Sequence, residues 1–340
     1  MKKSLLLAFM LMIAANLFAQ QQIATLNHND SISMFYGTNA FVDAHNAAVA
    51  GDIVTLSSGT FNSCDITKAI TIRGAGFYMD SIAMTYPTII TGDFKLLSPN
   101  DSIHNLVMEG IYVNDQMHYY NVSNAKFNRC FINGWNYAYY NNGYAKCYNT
   151  EFVNCIILSF YERSSLHSSY SIVNSVLYHS NLANDNIILL NSILIMQIYH
   201  YNTTAYNSII VSNNNSAKLE QNSIAYNCIL IKNGYSSVWN NPNNSTNKTV
   251  ENLSDVFETL RNTDKGTNGT NNFFIEERYI LKEEIATSFL GYDGTEVGIH
   301  GGMFPFDTKP SYMVVKKCNV AKKSTIDGKL SVDIEVMVEE

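Results

Sequence analysis

The chain has 340 residues, 46% of them hydrophobic but only 15% charged, and a formal net charge of −7. That balance allows a large core beneath a surface that is polar without being ionic, and a chain with no basic run is a poor partner for nucleic acid. Its length suits one elongated domain or two ordinary ones.

Lys2 and Lys3 precede an apolar run over residues 5–15, and "NLFAQQQ" then offers a cleavage position after Ala19. This predicts a signal peptide over 1–19 and an exported protein, secreted, periplasmic or at the cell surface. The run is shorter than the roughly 20 apolar residues a spanning helix needs, so no membrane span is expected. Residues 20–36 read as an N-terminal linker. A short helix follows in "NAFVDAHNAAVAG", with Phe41, Ala44 and Ala48 on one face and Thr38 or Asn39 as N-cap. The next stretch, "AGDIVTLSSGTFNSCDITKAITIRGAG", holds one strand with Ile53, Val54 and Leu56 and a second with Ile66, Ile70 and Ile72. Gly59 breaks the first, and Gly74 and Gly76 end the second.

Between residues 124 and 232 one phrase recurs: an apolar or aromatic residue, asparagine, a small residue, then aliphatics. It reads "FNRCFI", "YNTEFV", "VNSVLY", "LNSILI", "YNSIIV" and "YNCILI", on Asn128, Asn149, Asn174, Asn191, Asn207 and Asn227. Each unit is rich in β-branched and aromatic residues and too short to bury its own apolar side chains, so the units must stack. Parallel stacking at roughly 4.8 Å per coil superposes equivalent residues. Asparagine tolerates the left-handed backbone of a sharp bend, and its amide can bond to the next asparagine in the stack. The expected fold is all-β, a right-handed parallel β-helix carrying an asparagine ladder over 37–308. Residues 240–272, rich in Asn, Thr and Gly, read as a loop excursion with one amphipathic phrase at 250–260. In "GKLSVDIEVMV", Leu330, Val332, Ile334 and Val336 alternate as a half-buried strand, so 309–340 is expected to be a C-terminal strand segment.

The helix, the "GDIVTL" strand and the "TKAITIRGAG" strand together resemble the N-terminal cap and first coils of the pectin-lyase-like family. There a helix plugs the open end of a right-handed parallel β-helix. "YDGTEVGIHGG" resembles the closing phrase of many secreted bacterial β-helix proteins, through Asp293, Gly294, Val297, Gly298, Gly301 and Gly302. The family includes pectate, pectin, alginate and dermatan lyases and polygalacturonases, so the resemblance implies carbohydrate as the substrate class. Fold alone does not imply catalysis.

Hydrolysis of the polygalacturonase type needs paired acids on one face. The coils from 116 to 231 offer Glu151, Glu162, Asp185 and Glu220, none adjacent, and His300 sits in the closing phrase. A lyase needs a cation or Ca²⁺ to neutralise a carboxylate, and a base. The sequence has no carboxylate cluster for calcium, so any such activity is expected to be calcium-independent. Lys126 and Lys146, twenty residues apart, are candidate neutralisers on successive coils, with Arg129 nearby; Tyr119, Tyr120, His118, Tyr140 or His167 would be the base. The plainer reading is solvated lysines on a polar wall.

His179 and His200 recur in "LYHSN" and "IYHYN" but read as exposed repeat residues, not metal ligands. The six cysteines, Cys64, Cys130, Cys147, Cys155, Cys228 and Cys318, have no C-x-x-C spacing and read as small buried thiols. No metal or cofactor is expected. "NGWNYAYYNNGYAKCYN" gathers Trp135, Tyr137, Tyr139, Tyr140, Tyr144 and Tyr148 among amides, with Tyr119 and Tyr120 one coil earlier. Outward rings would stack on sugar faces while amides bond hydroxyls; the alternative is ring stacking inside the coil. "DSI" at 30–32, 80–82 and 101–103 resembles an O-glycosylation sequon of some secreted Gram-negative proteins and equally suits a turn. The expectation is a monomeric exported β-helix that binds a polysaccharide or cell-surface glycan, with no catalysis evident. The alternatives are a lyase acting on an acidic glycan and a non-catalytic adhesin-like rod.

Overall fold

The structure, a computed structural model, describes residues 22–78, 86–97, 103–137, 147–161, 168–180, 186–220, 222–235, 238, 246–258, 279–307, 313–320 and 332–338. The protein is a parallel β-solenoid of about eight turns. Each coil gives one strand to an 11-stranded sheet, bends, and gives a second strand to a 12-stranded sheet. A small third sheet of Ile103–His104, Val122–Ser123 and Cys147–Tyr148 lines part of the remaining side.

In-register pairing builds the core as columns. In the first sheet Ile72, Met108, Phe127, Phe152, Ile172, Leu189, Ala205 and Ala225 stack inward. In the second, Phe61, Ile90, Val113, Ile132, Ile157, Leu177, Leu194, Ile210 and Leu230 face them. The bend between the sheets is also a column. Gly110, Arg129, Asn154, Asn174, Asn191, Asn207 and Asn227 all lie in the left-handed region, with φ between 45° and 66°. Backbone bonds tie them from coil to coil: Asn174 N–H donates to Leu190 O at 3.0 Å and Asn191 N–H to Tyr206 O at 3.1 Å. The first two asparagines of the sequence series are therefore out of register. Asn128 is a strand residue paired with Val153, and Arg129 takes the bend. Asn149 belongs to a different corner, where its amide donates to Asn124 Oδ1 at 3.3 Å.

Just past the bend runs a ladder of small polar side chains facing in. The N–H groups of Cys155, Ser175 and Ser192 donate to Ser175 Oγ, Ser192 Oγ and Ser208 Oγ at 2.9, 3.2 and 3.1 Å. Ser208 N–H meets Cys228 Sγ at 3.5 Å, so the thiol takes the place of a hydroxyl in the same ladder. Cys130, Cys147, Cys155 and Cys228 are buried free thiols, and Cys64 is half-buried. Burial pushes the Cys228 thiol up to about 12, which keeps it protonated and inert.

The segment 20–36, expected to be a linker, instead carries a hairpin. Strands Ile23–His28 and Ser31–Tyr36 pair antiparallel and add to the edge of the first sheet beside Ile53–Leu56. Asn29 and Asp30, both at positive φ, form its two-residue turn, as a type I′ hairpin requires. The first "DSI" is thus part of a turn; the other two fall wholly or partly outside the described residues. The helix Ala40–Ala47 buries Phe41, Ala44 and the following Ala48 as expected, and Phe41 stacks on Phe94 at 6.2 Å. Asn39 occupies the N-cap without capping, because its Oδ1 accepts from Asn62 Nδ2 at 2.6 Å.

The C-terminal part packs back onto the solenoid. Lys248–Val250, inside the expected excursion, is the last strand of the second sheet. From there residues 253–257 and 281–299 lie over that sheet's outer face. Leu253, Val256, Phe257, Leu281, Ile285, Val297 and Ile299 form a second apolar cluster with the outward Ile156, Val176, Ile193, Ile209 and Ile229. This is why "ILIM" and "IIVS" are buried at every position: one face packs inside the solenoid, the other beneath the C-terminal segment. Met313–Val320 and Val332–Val338 form a separate antiparallel hairpin.

Candidate functional site

The asparagine column grips the closing segment. Asn174 Nδ2 donates to Ile299 O and Gly301 O at 2.9 and 2.7 Å, and Asn207 Oδ1 accepts from Tyr292 N–H at 2.8 Å. Gly298 N–H donates to Asn207 O at 2.8 Å. The expected amide-to-amide ladder is thus diverted here, because the closing phrase lies against the bend and offers backbone partners. It does occur at the outer corners, between Asn149 and Asn124 and between Asn222 and Asn202. Asn207→Ala is expected to lower stability by about 1–2 kcal/mol for a left-handed alanine, plus about 1 kcal/mol for the lost hydrogen bond. Asn207→Gly relieves the first contribution and keeps the second. A chemical-denaturation midpoint for Asn207→Ala equal to that of the wild type would show the column to be incidental.

Two of the candidate groove aromatics, Trp135 and Tyr119, face into the core instead of outward. Trp135 and Tyr119 are fully buried and stacked at 5.0 Å, and Trp135 meets Phe127 and Phe152 edge-on at 5.2 and 5.1 Å. Trp135 pairs with Met117 and joins the column of large rings; Ile132, three positions earlier, also faces in, so simple alternation is broken at the register shift between Val113 and Gln116 of the neighbouring strand. Tyr120 is half-buried against the same core. Tyr137 ends its strand, paired with Tyr119; Tyr139, Tyr140, Tyr144 and Lys146 lie outside the described residues, as do His167, Glu162 and Asp185. Tyr148 is exposed.

The two candidate cations among the described residues each have a carboxylate beside them. Lys126 Nζ lies 3.0 Å from Glu151 Oε2, one coil on, and Arg129 Nη1 lies 3.7 Å from Glu109 Oε1. Arg73 approaches the other oxygen of Glu109 at 3.9 Å. A substrate carboxylate would meet the repulsion of a resident one at either position. His200, expected on the surface, is fully buried. Among the described residues no group of three or more His, Cys, Asp or Glu could hold a metal ion, and no helix is long and apolar enough to cross a membrane.

The two sheets differ most on their outer faces. Among the described residues the last coils of the second are covered, and those of the first are open. The outward positions of the first sheet change character along the axis, in two in-register columns. One runs Lys126, Glu151, Ser171, Ile188, Thr204, Ile224; the other runs Glu109, Asn128, Val153, Val173, Leu190, Tyr206, Tyr226. The wall begins charged and ends apolar. Ile188 is 52% exposed, Ile224 43%, Tyr206 and Tyr226 40% each, and Leu190 38%. The rings of Tyr206 and Tyr226 are nearly parallel, 11° apart, with centroids at 5.4 Å. At the other rim Asn222 Nδ2 donates to Asn202 Oδ1 at 3.4 Å. A contiguous exposed apolar patch with a polar border is the usual mark of a binding surface.

Sequence reasoning missed Tyr206 and Tyr226, treating them as the apolar position of the repeat. The signal lies in "TTAYN" and "IAYN": small Ala205 and Ala225 face in, so the large residues two-periodic with Thr204 and Ile224 must face out. Comparison with protein-family models, curated proteins and solved structures finds no match to this chain.

Proposed function

We propose that the chain is an exported, monomeric, right-handed β-helix protein of pectin-lyase-like type that binds a polysaccharide or cell-surface glycan without cleaving it. The observation that carries this reading is the exposed Tyr206–Tyr226 pair on an open apolar wall, bordered by the Asn202–Asn222 amides. Offset tyrosines present partial faces and hydroxyl edges for the C–H side of a sugar, while an amide offers both donors and acceptors to its hydroxyls. The family part of the reading rests on glycines that the fold requires. A Cβ on Gly74 would lie 2.4 Å from Gly110 O, and one on Gly301 would lie 1.6 Å from Glu296 O. Non-catalysis is favoured because Lys126 and Arg129 are each paired with a carboxylate and sit on coils before the apolar wall. A glycan array of the purified protein tests the reading, run beside Tyr206→Ala/Tyr226→Ala. Signals that the double variant loses are expected; signals it retains in full would place any glycan site elsewhere.

A further inference from the structure

Resting on the glycan reading of this wall, we infer that its ligand is an uncharged, extended glycan chain lying along the solenoid axis, one sugar unit per coil. Three features of the wall converge on this.

The first is charge. Across the three coils of the patch the outward strand positions are Ile188, Leu190, Thr204, Tyr206, Ile224 and Tyr226. None is a carboxylate, an ammonium or a guanidinium. The cations of the same face lie on earlier coils, each within 4 Å of Glu151 or Glu109. A polyuronate laid on the patch would give up carboxylate hydration with no cation to replace it, which is costly. A neutral glycan loses nothing of the kind.

The second is direction. The apolar track runs from Leu190 to Tyr206 to Tyr226 through successive coils, so it follows the axis and does not cross it. Parallel pairing repeats it at roughly 4.8 Å, and the two rings are 5.4 Å apart. Both spacings are near the length of one pyranose unit in an extended chain. A helical or branched glycan would leave the track after one contact.

The third is the polar rim. Asn202 and Asn222 stand at the opposite end of the same strands and repeat with the same spacing, joined by a single hydrogen bond from Asn222 Nδ2 to Asn202 Oδ1 at 3.4 Å. An amide has two donors and a two-lone-pair acceptor, so that one bond leaves capacity for hydroxyls on each coil. The ligand thus meets rings along one edge and amides along the other.

The test is calorimetric titration of the full chain with neutral hexasaccharides (cellohexaose, xylohexaose and mannohexaose) and acidic ones (hexagalacturonate and hexaguluronate), each at low and high salt. At least one neutral chain should bind, with affinity that is indifferent to salt and rises from the disaccharide to the trisaccharide or beyond. Tyr206→Ala/Tyr226→Ala, checked for an unchanged melting temperature, should weaken binding about tenfold, equivalent to 1.4 kcal/mol. Preferential, salt-sensitive binding of an acidic chain that the double variant loses would overturn the ligand class and leave the wall as the site. Binding that the double variant keeps in full, or no binding of either class, would overturn the site reading as well. A concentration-dependent dimer in light scattering that the double variant abolishes would show instead that the patch is a contact between copies.

Discussion

Trp135→Ala is expected to destabilise the fold by about 3–5 kcal/mol, the range for removing a large buried aromatic, and to leave ligand binding by the folded fraction unchanged. The indole is fully buried and touches rings from three coils: Tyr119 stacked at 5.0 Å, Phe127 and Phe152 edge-on, and Phe160 at 6.1 Å. Its loss would open a cavity among the core rings Tyr119, Phe127, Phe152 and Phe160. Neither Phe131–Tyr137 nor its neighbour Tyr112–Tyr120 can close in without breaking the pairing that defines the coil. Trp135→Phe should recover much of the loss, because a ring still fills the column. Urea unfolding followed by far-ultraviolet circular dichroism reads the effect. A midpoint shift below the ~0.5 kcal/mol typical of surface substitutions would mean that the indole does not hold the core. It would then be free to serve as the sugar platform expected from the sequence.

Gly301→Ala should be the most damaging single methyl in the C-terminal part. Its Cβ would fall 1.6 Å from Glu296 O and 2.7 Å from Glu296 C, both backbone atoms, and 2.9 Å from Asn191 Nδ2. No rotamer relieves a clash with a carbonyl, so the turn must move and take with it the bond from Asn174 to Gly301 O. Overpacking costs roughly 1–3 kcal/mol and at times more, and here the upper end or beyond is expected. The consequence should be local before it is global. Residues 281–299 cover the outward Ile193, Ile209 and Ile229, so loosening them exposes an apolar sheet face. Increased binding of a hydrophobic dye and faster amide exchange in 193–196, 209–212 and 229–231, with the first coils still protected, are the expected signatures. Unchanged exchange there would show that the closing segment is not held through this turn.

The sequence by itself determined the architecture. A phrase that returns at short intervals, with apolar runs too brief to bury themselves, has no stable solution except stacked coils. The recurring asparagine marks the left-handed bend because few side chains tolerate that backbone. That logic held for Asn174, Asn191, Asn207 and Asn227. It slipped at the wider coils, where Arg129 and Asn154 take the bend while Asn128 and Asn149 sit one strand position before it or at another corner. A local phrase cannot count an insertion made elsewhere in the coil; only the pairing of Lys126–Asn128 with Thr150–Val153 fixes that register.

The tertiary structure decided which faces are wet. Alternation tells that Ile193 and Leu194 point to opposite sides, but not that the outer side is roofed by a segment about a hundred residues later. Nor does the density of Trp and Tyr at 135–148 reveal that Trp135 points inward, since a solenoid has two sides to every strand and either accepts a ring. The first sheet received no roof over its last coils among the described residues, so Tyr206 and Tyr226, unremarkable as letters, became the exposed pair. Burial is a property of what packs on a face from far along the chain. The sequence specified the faces, and the long-range packing of 253–257 and 281–299 chose between them.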